Sequence, residues 1–216
     1  MIKTRAFTIY ELVQIMNKID KAICKDHSGK MKGMQSLSTA CGMNPYCKAR
    51  VENGDSICAK CYAMRQTAFR KALEKKLERN TELLTKELYP VEAFPKVNTQ
   101  IFRFESFGDL NNVIQLGNFI NMCKANPKTT FSLWTKNVFL LREAREVGFK
   151  KPRNLIIVQS SRLLDVVDEP ADPWVDKVFT VWRKMDKKIN CGGRKCLECR
   201  RCYTKRTGKY VHEVVK

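Results

Sequence analysis

The sequence predicts an α/β fold in which helices cover a parallel sheet. Short apolar runs typical of buried strands alternate with longer amphipathic runs typical of helices. The runs follow one another at the spacing of βα units. Eight of the ten cysteines also fall into two groups of four. We therefore predict a partial (β/α) barrel or an open parallel sheet, with a cysteine-rich, metal-bound appendage at its C-terminal end.

The chain of 216 residues suits one domain with a small appendage. We predict an α/β partial-barrel domain over residues 1–182, which carries a cysteine-rich loop at 41–61. Residues 183–216 form the basic, cysteine-rich appendage. No apolar run reaches the roughly 18 residues of a membrane helix, and the first residues do not resemble a signal peptide. We expect a cytoplasmic protein with no membrane partner.

The first half of the chain predicts two helices, one strand and a long loop. Residues 8–20 have helical spacing, and residues 37–40 form a short strand that leads directly into Cys41. Residues 63–88 predict one long amphipathic helix. Residues 42–57 predict a loop, because turn-forming residues recur at Gly42, Asn44-Pro45 and Asn53-Gly54-Asp55.

The second half alternates between strands and helices. Asn137 is a predicted N-cap, and Cys123 lies on an apolar helical face that predicts a core position. Strands are predicted at 101–104, 130–134, 155–159 and 178–182, helices at 110–125 and 138–147, and an edge strand at 210–215.

Both cysteine groups have spacings that indicate metal ligands. The first follows C-x5-C-x10-C-x2-C and the second C-x4-C-x2-C-x2-C. Four thiolates bind a tetrahedral Zn²⁺ ion or an iron–sulfur cluster. Disulfide pairing is the alternative, and a reducing compartment disfavours it. The predicted ligands are Cys41, Cys47, Cys58 and Cys61 in the first group, and Cys191, Cys196, Cys199 and Cys202 in the second.

The spacing within each group favours iron–sulfur over zinc. The second group places three cysteines within seven residues, as ferredoxin-type runs do, and the first is untypical of a zinc ribbon. We expect at least one [4Fe-4S] cluster. Zinc in both groups, one metal of each kind, and ligands shared between the groups are the alternatives.

Candidate catalytic residues follow the predicted strands, because parallel βα folds bind ligands at the carboxyl ends of their strands. The second strand is followed by Glu105, Gly108 and Asp109, the third by Lys136 and the fourth by Ser160. We predict that Glu105, Asp109, Lys136 and Ser160 share one rim with the first cysteine group. For Asp109, capping of the next helix is the alternative role.

The net charge of +19 predicts a polyanionic partner, and nucleic acid is the first candidate. The chain has 41 Lys and Arg against 22 Asp and Glu. Charge alone does not separate DNA from RNA, and the oligomeric state is open.

The order of several motifs resembles a family of bacteriophage proteins called gene product 88. The motifs are CYA, RFESFGDL, NPKTTFSLWTKN, KPRNLIIVQSS and VFTVW, followed by the second cysteine group. The resemblance covers about residues 36 to 203. It implies a phage-encoded protein that works in the cytoplasm of the infected host cell.

The layout is more loosely similar to radical S-adenosylmethionine enzymes, which are partial barrels with a cluster after the first strand. This resemblance implies a cluster in the 41–61 loop, and S-adenosylmethionine near Gly108 and Glu105. The C-x3-C-x2-C loop of those enzymes is absent, and four cysteines would fill every iron site.

Three functions follow from these observations. The first is an iron–sulfur protein that acts on or near nucleic acid through a radical or base-modifying reaction at the rim. The second is a zinc-stabilised module that binds nucleic acid without catalysis. The third is an enzyme similar to base-exchanging transglycosylases, with Asp109 as nucleophile and zinc on the cysteines.

Overall fold

Six parallel strands form one sheet in which the strand order follows the chain. The computed structural model describes residues 5–52, 56–184 and 189–215. Each strand pairs in parallel with the next. The strands are β1 (Gln35–Leu37), β2 (Ile101–Phe104), β3 (Thr130–Thr135), β4 (Leu155–Ser160), β5 (Val175–Trp182) and β6 (Tyr210–Val214).

The strand order has no reversal, so the sheet is not doubly wound. Strands β1 and β6 are the two edges, and no pairing joins them within the described residues. The predicted open parallel sheet is therefore confirmed, whereas the partial barrel stays a prediction.

Seven α-helices are present in the described part of the chain. Helix α1 begins with a capping box, in which Thr8 and Glu11 satisfy each other's backbone N–H groups. No helix in the described ranges is long and apolar enough to cross a membrane. The helices are α1 (Ile9–Ala22), α2 (Pro45–Glu52), α3 (Tyr62–Phe69), α4 (Lys71–Lys86), α5 (Val113–Ala125), α6 (Phe139–Glu146) and α7 (Cys196–Cys199).

The main core lies between the helices and one face of the sheet. Phe104 stacks between Phe119 of α5 and Phe131 of β3, with ring centroids 4.1 and 5.1 Å away. Apolar side chains from α1, α4, α5 and α6 belong to the same cluster. Cys123 is fully buried there, so its predicted core position is confirmed.

The connection from β5 to β6 lies against the opposite face of the sheet. Cys191 and Cys202 pack against Ile156, Val158 and other strand residues. Tyr203 packs with Met34 and Ile101 in a neighbouring cluster. The cysteine-rich segment therefore connects two strands of the sheet and covers them. Residues 185–188 lie outside the described residues, and the predicted division after residue 182 stays a prediction about folding units.

Short backbone contacts lie along both edges of the sheet. At β1, Cys24 and Ser36 form an isolated antiparallel bridge with N···O distances of 2.8 and 3.0 Å. At β6, the backbone N–H groups of Asn190 and Cys191 donate to the carbonyl oxygen of His212. The Asn190 side chain accepts a hydrogen bond from the His212 N–H. Each outer strand is thus hydrogen-bonded on its outer side.

Several predicted elements differ from the structure in the first half of the chain. The predicted loop at 42–57 contains helix α2, and its turn at Asn53-Gly54-Asp55 lies outside the described residues. The long helix predicted at 63–88 is two helices, because the backbone leaves the helical region at Arg70 (φ −112°, ψ 76°). The first strand ends at Leu37, so Ser38 to Ala40 form a connection rather than a strand.

The predicted N-cap at Asn137 is wrong. Helix α6 starts at Phe139, its N-cap is Val138, and no side chain caps it. The Asn137 amide instead donates to the carbonyl oxygen of Leu110, 3.1 Å away, and so ties the β3–α6 connection to the connection after β2.

Candidate functional site

The carboxyl ends of β1, β2 and β3 meet at one rim of the sheet. Leu37, the last residue of β1, pairs with Phe104, the last residue of β2. Phe104 in turn pairs with Leu133 of β3. The residues that continue from β1 and β2 remain buried, from Ser38 to Cys41 and from Glu105 to Ser106. This rim holds most of the predicted site residues.

Glu105 immediately follows β2 and turns its carboxylate into the protein. Its backbone lies in the left-handed region (φ 54°), and 2% of the residue is exposed. The carboxylate accepts hydrogen bonds from the Thr39 N–H (3.2 Å), the Thr39 hydroxyl (3.0 Å) and the Gln115 amide (2.5 Å). Burial raises the pKa of Glu105 to about 8, although these hydrogen bonds favour the ionised form. Glu105 therefore connects the end of β1 with helix α5.

Gly108 lies against the Glu105 carboxylate. A Cβ atom at this position would lie 2.5 Å from Glu105 Oε2 and 2.5 Å from the Thr39 carbonyl oxygen. Only glycine fits this contact without displacement of the backbone. The structure thus gives Gly108 a packing requirement, and its role in binding a cofactor stays a prediction.

Asp109 joins the end of β2 to the end of β3. Its carboxylate accepts hydrogen bonds from the Thr135 hydroxyl (2.5 Å) and from the N–H groups of Lys136 (2.9 Å) and Leu110 (2.8 Å). The N-cap of α5 is Asn112, so the alternative role of Asp109 as a helix cap is wrong. Burial raises the pKa of Asp109, while the positive charge of Lys136 and the hydrogen bonds oppose this shift.

The four cysteines of the first group approach one another beside these carboxyl groups. Cys41 follows β1 directly, Cys47 lies on α2, and Cys58 lies in a single 3-10 turn. Cys61 is the N-cap of α3. Charges on Cys58, Cys61 and Asp109 all act on Cys47, and together with burial they raise its pKa. The fold therefore gathers thiols that are up to twenty positions apart in sequence.

Cys61 is a thiol of the first group whose pKa is lowered. The Cys41 thiol donates a hydrogen bond to it, and the N–H groups of Met64 and Ala63 donate from the first turn of α3. These donors lower the pKa of Cys61 to about 6. The same hydrogen bond, together with burial, raises the pKa of Cys41. The opposite shifts favour a thiolate at Cys61 and a thiol at Cys41.

Lys136 and Ser160 lie on a cavity that adjoins the rim. The positive charge of Lys136 acts on both Cys61 and Asp109, so this lysine faces the first cysteine group. No described contact joins Ser160 to Glu105 or Asp109. The structure therefore brings Glu105, Asp109 and Lys136 together with the first cysteine group, and it places Ser160 with Lys136 alone.

The second cysteine group lies in the β5–β6 connection beside basic side chains. Lys30 Nζ is 3.6 Å from Cys191 Sγ and 2.5 Å from a Glu213 carboxylate oxygen. The positive charge of Arg103 acts on Cys196 and Cys202. Burial and the neighbouring thiols raise the pKa of Cys202 to about 12, and Arg103 opposes this shift.

The second group is surrounded by buried hydrogen-bond donors that have no partner in the described part of the chain. The Arg103 guanidinium lies over the Trp134 ring, 4.2 Å from its centroid, and neither Arg103 Nε nor Trp134 Nε1 has a partner. Ser132 Oγ and Arg201 Nε are also unpartnered. Donors of this kind stabilise the negative charge of metal-bound thiolates. The surroundings of the second group therefore fit an anionic thiolate–metal centre.

All ten cysteines are free thiols in the structure, so the disulfide alternative receives no support. Within the described ranges, no three His, Cys, Asp or Glu side chains already have the arrangement that holds a metal ion. The thiols of each group lie close enough for their charges to act on one another. They fit a metal in kind and number, and binding requires their side chains to converge further.

Sequence reasoning missed three residues of the rim. Thr39 and Gln115 hold Glu105 in place, and the Tyr62 hydroxyl donates to the carbonyl oxygen of Ser106. Tyr62 directly follows Cys61, so its position next to a predicted ligand could have identified it as a residue of the rim. Thr39 and Gln115 carry no comparable signal, because their contacts depend on the distance between separate elements.

Comparison with known protein families identifies a relationship over most of the chain. The sequence profile of the family described as Gene product 88 matches residues 14–214, which is nearly the whole chain. The chain belongs to the Gene product 88 family. Searches of curated proteins and of solved structures gave no match.

The match includes the rim and both cysteine groups of this Gene product 88 protein. The predicted resemblance to the phage family is therefore confirmed. The looser similarity to radical S-adenosylmethionine enzymes is not supported by these comparisons.

Proposed function

We propose that this Gene product 88 protein is a cysteine-ligated metalloprotein that acts on or near nucleic acid. The observation that carries the proposal is that the fold brings the four cysteines of each group close enough for their charges to act on one another, although those of the first group are widely spaced in sequence. A cluster of thiols in a reducing compartment is typical of a zinc or iron–sulfur site.

The first cysteine group is the proposed reactive site, with a [4Fe-4S] cluster as its expected cofactor. Cys41, Cys47, Cys58 and Cys61 would hold the cluster, which supplies electron transfer when bound. The position at the carboxyl ends of the strands supports this role, because ligands of parallel βα folds bind there. Lys136 would orient an anionic ligand beside the cluster, and the acidic Cys61 thiol favours ligation because the thiolate is the ligand.

The second cysteine group is the proposed structural site. Cys191, Cys196, Cys199 and Cys202 would hold either metal, and Arg103 and Lys30 would balance the negative charge. A short, charged segment gains much of its folding free energy from such an ion.

A second candidate is the zinc-stabilised module without catalysis. The carboxylates of Glu105 and Asp109 accept three hydrogen bonds each from the protein itself, which leaves little capacity for a substrate. For the same reason, the geometry does not favour Asp109 as the nucleophile of a transglycosylase-like reaction. S-adenosylmethionine binding near Gly108 would require the Glu105 contacts to rearrange.

Metal analysis of cysteine variants tests the proposal. The protein is purified without oxygen, and iron, sulfide and zinc are measured in wild type, Cys47→Ser and Cys196→Ser. Cys24→Ser is the matched control, since Cys24 is a half-buried thiol outside both groups. We expect each test variant to lose the metal of its own group while the control retains both.

Equal metal contents in all four proteins, or a wild type without metal, would contradict the metalloprotein. Zinc with no iron or sulfide would leave the structural module as the better function. Iron and sulfide lost only from Cys47→Ser would support the cluster at the rim.

A further inference from the structure

A cavity of about 390 Å³ opens beside the rim, between helix α6 and the connection from β4 to β5. Lys136 lies at its wall near the end of β3, and Ser160 lies at the end of β4. Tyr46 of α2 also lines the cavity, and its hydroxyl donates to the Lys136 carbonyl oxygen, 2.8 Å away. The cavity is therefore built on the carboxyl ends of two central strands, where parallel folds bind their ligands.

The cavity is lined by four basic side chains and one acidic side chain. The acid is Asp172, which is buried and held by Arg145 through a contact of 2.8 Å. The other three cations, Lys136, Arg142 and Arg162, form no ion pair within 4.0 Å among the described residues, and Lys136 also faces Asp109 and Cys61. An excess of unpaired positive charge in a concave site attracts anions from solution.

The uncharged lining favours a particular class of anion. Phe139 is 60% exposed at the cavity, so its ring is accessible to a ligand bound there. Its ring offers a flat face on which a nucleobase can stack. Tyr46 lies beside it at the cavity, and one face of the Tyr46 ring is already covered by the Arg50 guanidinium. The Arg142 and Arg162 guanidinium groups match the oxygens of a phosphate, which arginine binds through two parallel hydrogen bonds.

From this combination we propose that the cavity binds the phosphate group of a nucleotide, with the base against the aromatic side chains. This inference depends on the proposed role near nucleic acid only where it concerns the source of the nucleotide. That source is either a free nucleotide or one nucleotide unit of a nucleic acid strand. Lys136 faces both the cavity and the first cysteine group. A bound nucleotide would therefore lie next to the proposed reactive site.

Binding experiments with two probes test the cavity. Affinity at low salt is measured for adenosine monophosphate by calorimetry and for a fluorescein-labelled single-stranded oligonucleotide by anisotropy. The test variant combines Arg142→Gln and Arg162→Gln. The control combines Arg70→Gln and Arg79→Gln, which removes the same charge from exposed positions on the helix side of the sheet.

We expect the test variant to bind at least about tenfold more weakly than the control, because charged hydrogen bonds to phosphate are lost. The comparison uses whichever probe the wild-type protein binds. Phe139→Ala should weaken binding without a change in the thermal unfolding midpoint, since this side chain is largely exposed. Binding of the mononucleotide would identify a free nucleotide as the ligand. Binding of the oligonucleotide alone would identify a strand.

Equal loss in the test and control variants would overturn the proposal, because binding would then follow total charge alone. Failure of both probes to bind at low salt would overturn it as well. The metal content of the test variant is measured in parallel. Since neither arginine is a proposed ligand, unchanged metal with lost binding separates this site from the metal proposal.

Discussion

Glu105 combines two unfavourable features in one residue. Its backbone has a positive φ, which costs a residue other than glycine about 1 kcal/mol, and its carboxyl group is fully buried. Both are offset locally, because the carboxylate receives donors from Thr39 and Gln115 on two other elements. The residue thus fixes the geometry of the rim at a cost in stability.

This burial gives stability a pH dependence of known sign. The folded-state pKa of Glu105 is about 8, above the unfolded value of about 4.5. Between these pH values the folded protein holds a proton that the unfolded chain has released. The free energy of unfolding therefore falls as pH rises through this window, by at most about 1.4 kcal/mol per pH unit. Glu105→Gln should remove this fall.

Urea unfolding of the metal-free, reduced protein between about pH 5 and pH 8 measures the effect. The lowered pKa of Cys61 makes the free energy of unfolding rise with pH above about pH 6, which is the opposite trend. This contribution is the same in all variants. Glu82→Gln, on the exposed side of α4, is the control and should keep the wild-type profile. Parallel profiles for Glu105→Gln and wild type would mean that Glu105 does not titrate in this range.

Gly108→Ala tests the packing of the same carboxylate. The added methyl group would overlap Glu105 Oε2 and the Thr39 carbonyl oxygen, so we expect a loss of about 1 to 3 kcal/mol in the free energy of unfolding. Gly208→Ala is the control, because nothing lies within 4 Å of its added atom and its φ is not positive. Equal stability of the two variants would show that the rim adapts without strain.

At the scale of elements, the β5–β6 connection covers the face of the sheet opposite to the main helices, and its described residues contain no long helix. It is too polar and too short of apolar residues to form an amphipathic helix of ordinary length. It covers the sheet instead through Tyr203, Leu197 and the side chains of its cysteines. The connection and the sheet should therefore unfold together.

Tyr203→Ala measures this coupling. Tyr203 is 6% exposed against Met34 and Ile101, and truncation of a buried aromatic side chain costs about 3 to 5 kcal/mol. We expect a single unfolding transition at lower urea concentration. Tyr10→Ala, at a position 73% exposed, should change stability by less than about 0.5 kcal/mol. An unchanged main transition for Tyr203→Ala would indicate a separately folding appendage.

Strands and helices with strong apolar periodicity could be predicted from the sequence. Strands β2, β3 and β4 lie within one residue of their predicted bounds, because short buried runs between turn residues define them. Helix α2 has almost no apolar face, so its helical state follows from the surrounding structure rather than from its own pattern. The break at Arg70 could not be predicted, because the apolar spacing of the sequence continues through it.

The rim could be predicted in outline and not in detail. Parallel strands deliver their following residues to one edge, so Glu105, Asp109 and Lys136 were expected together. The carboxylate partners Thr39 and Gln115 depend on how β1 and α5 approach β2. That approach is a property of the three-dimensional packing and has no local sequence signature.

At the scale of the whole molecule, the charge of +19 predicts salt-dependent binding of nucleic acid. The logarithm of the affinity should fall with the logarithm of the salt concentration, with a slope of about −0.9 for each duplex phosphate contacted. Eleven basic residues lie between Arg183 and Lys209, against two acidic ones. This segment is the expected contact region.

Charge reversal locates the contact. Arg194→Glu with Lys195→Glu, both exposed in the β5–β6 connection, should weaken binding across all sequences and reduce the slope. Lys18→Glu with Lys21→Glu makes the same charge change on helix α1, on the other side of the sheet, and should have a smaller effect. Affinity that does not change with salt would exclude phosphate contacts as the basis of binding.

The contacts along the two outer strands also bear on whether copies of this protein associate with one another. A sheet with an open edge can recruit a strand from a neighbouring chain and grow into an aggregate. Here the Cys24–Ser36 bridge occupies one edge, and Asn190 and Cys191 occupy the other through His212. The contact at the β6 edge belongs to the segment that carries the second cysteine group. If the proposed metal holds this segment in place, loss of the metal would loosen the cover on the outer side of β6, and self-association would follow.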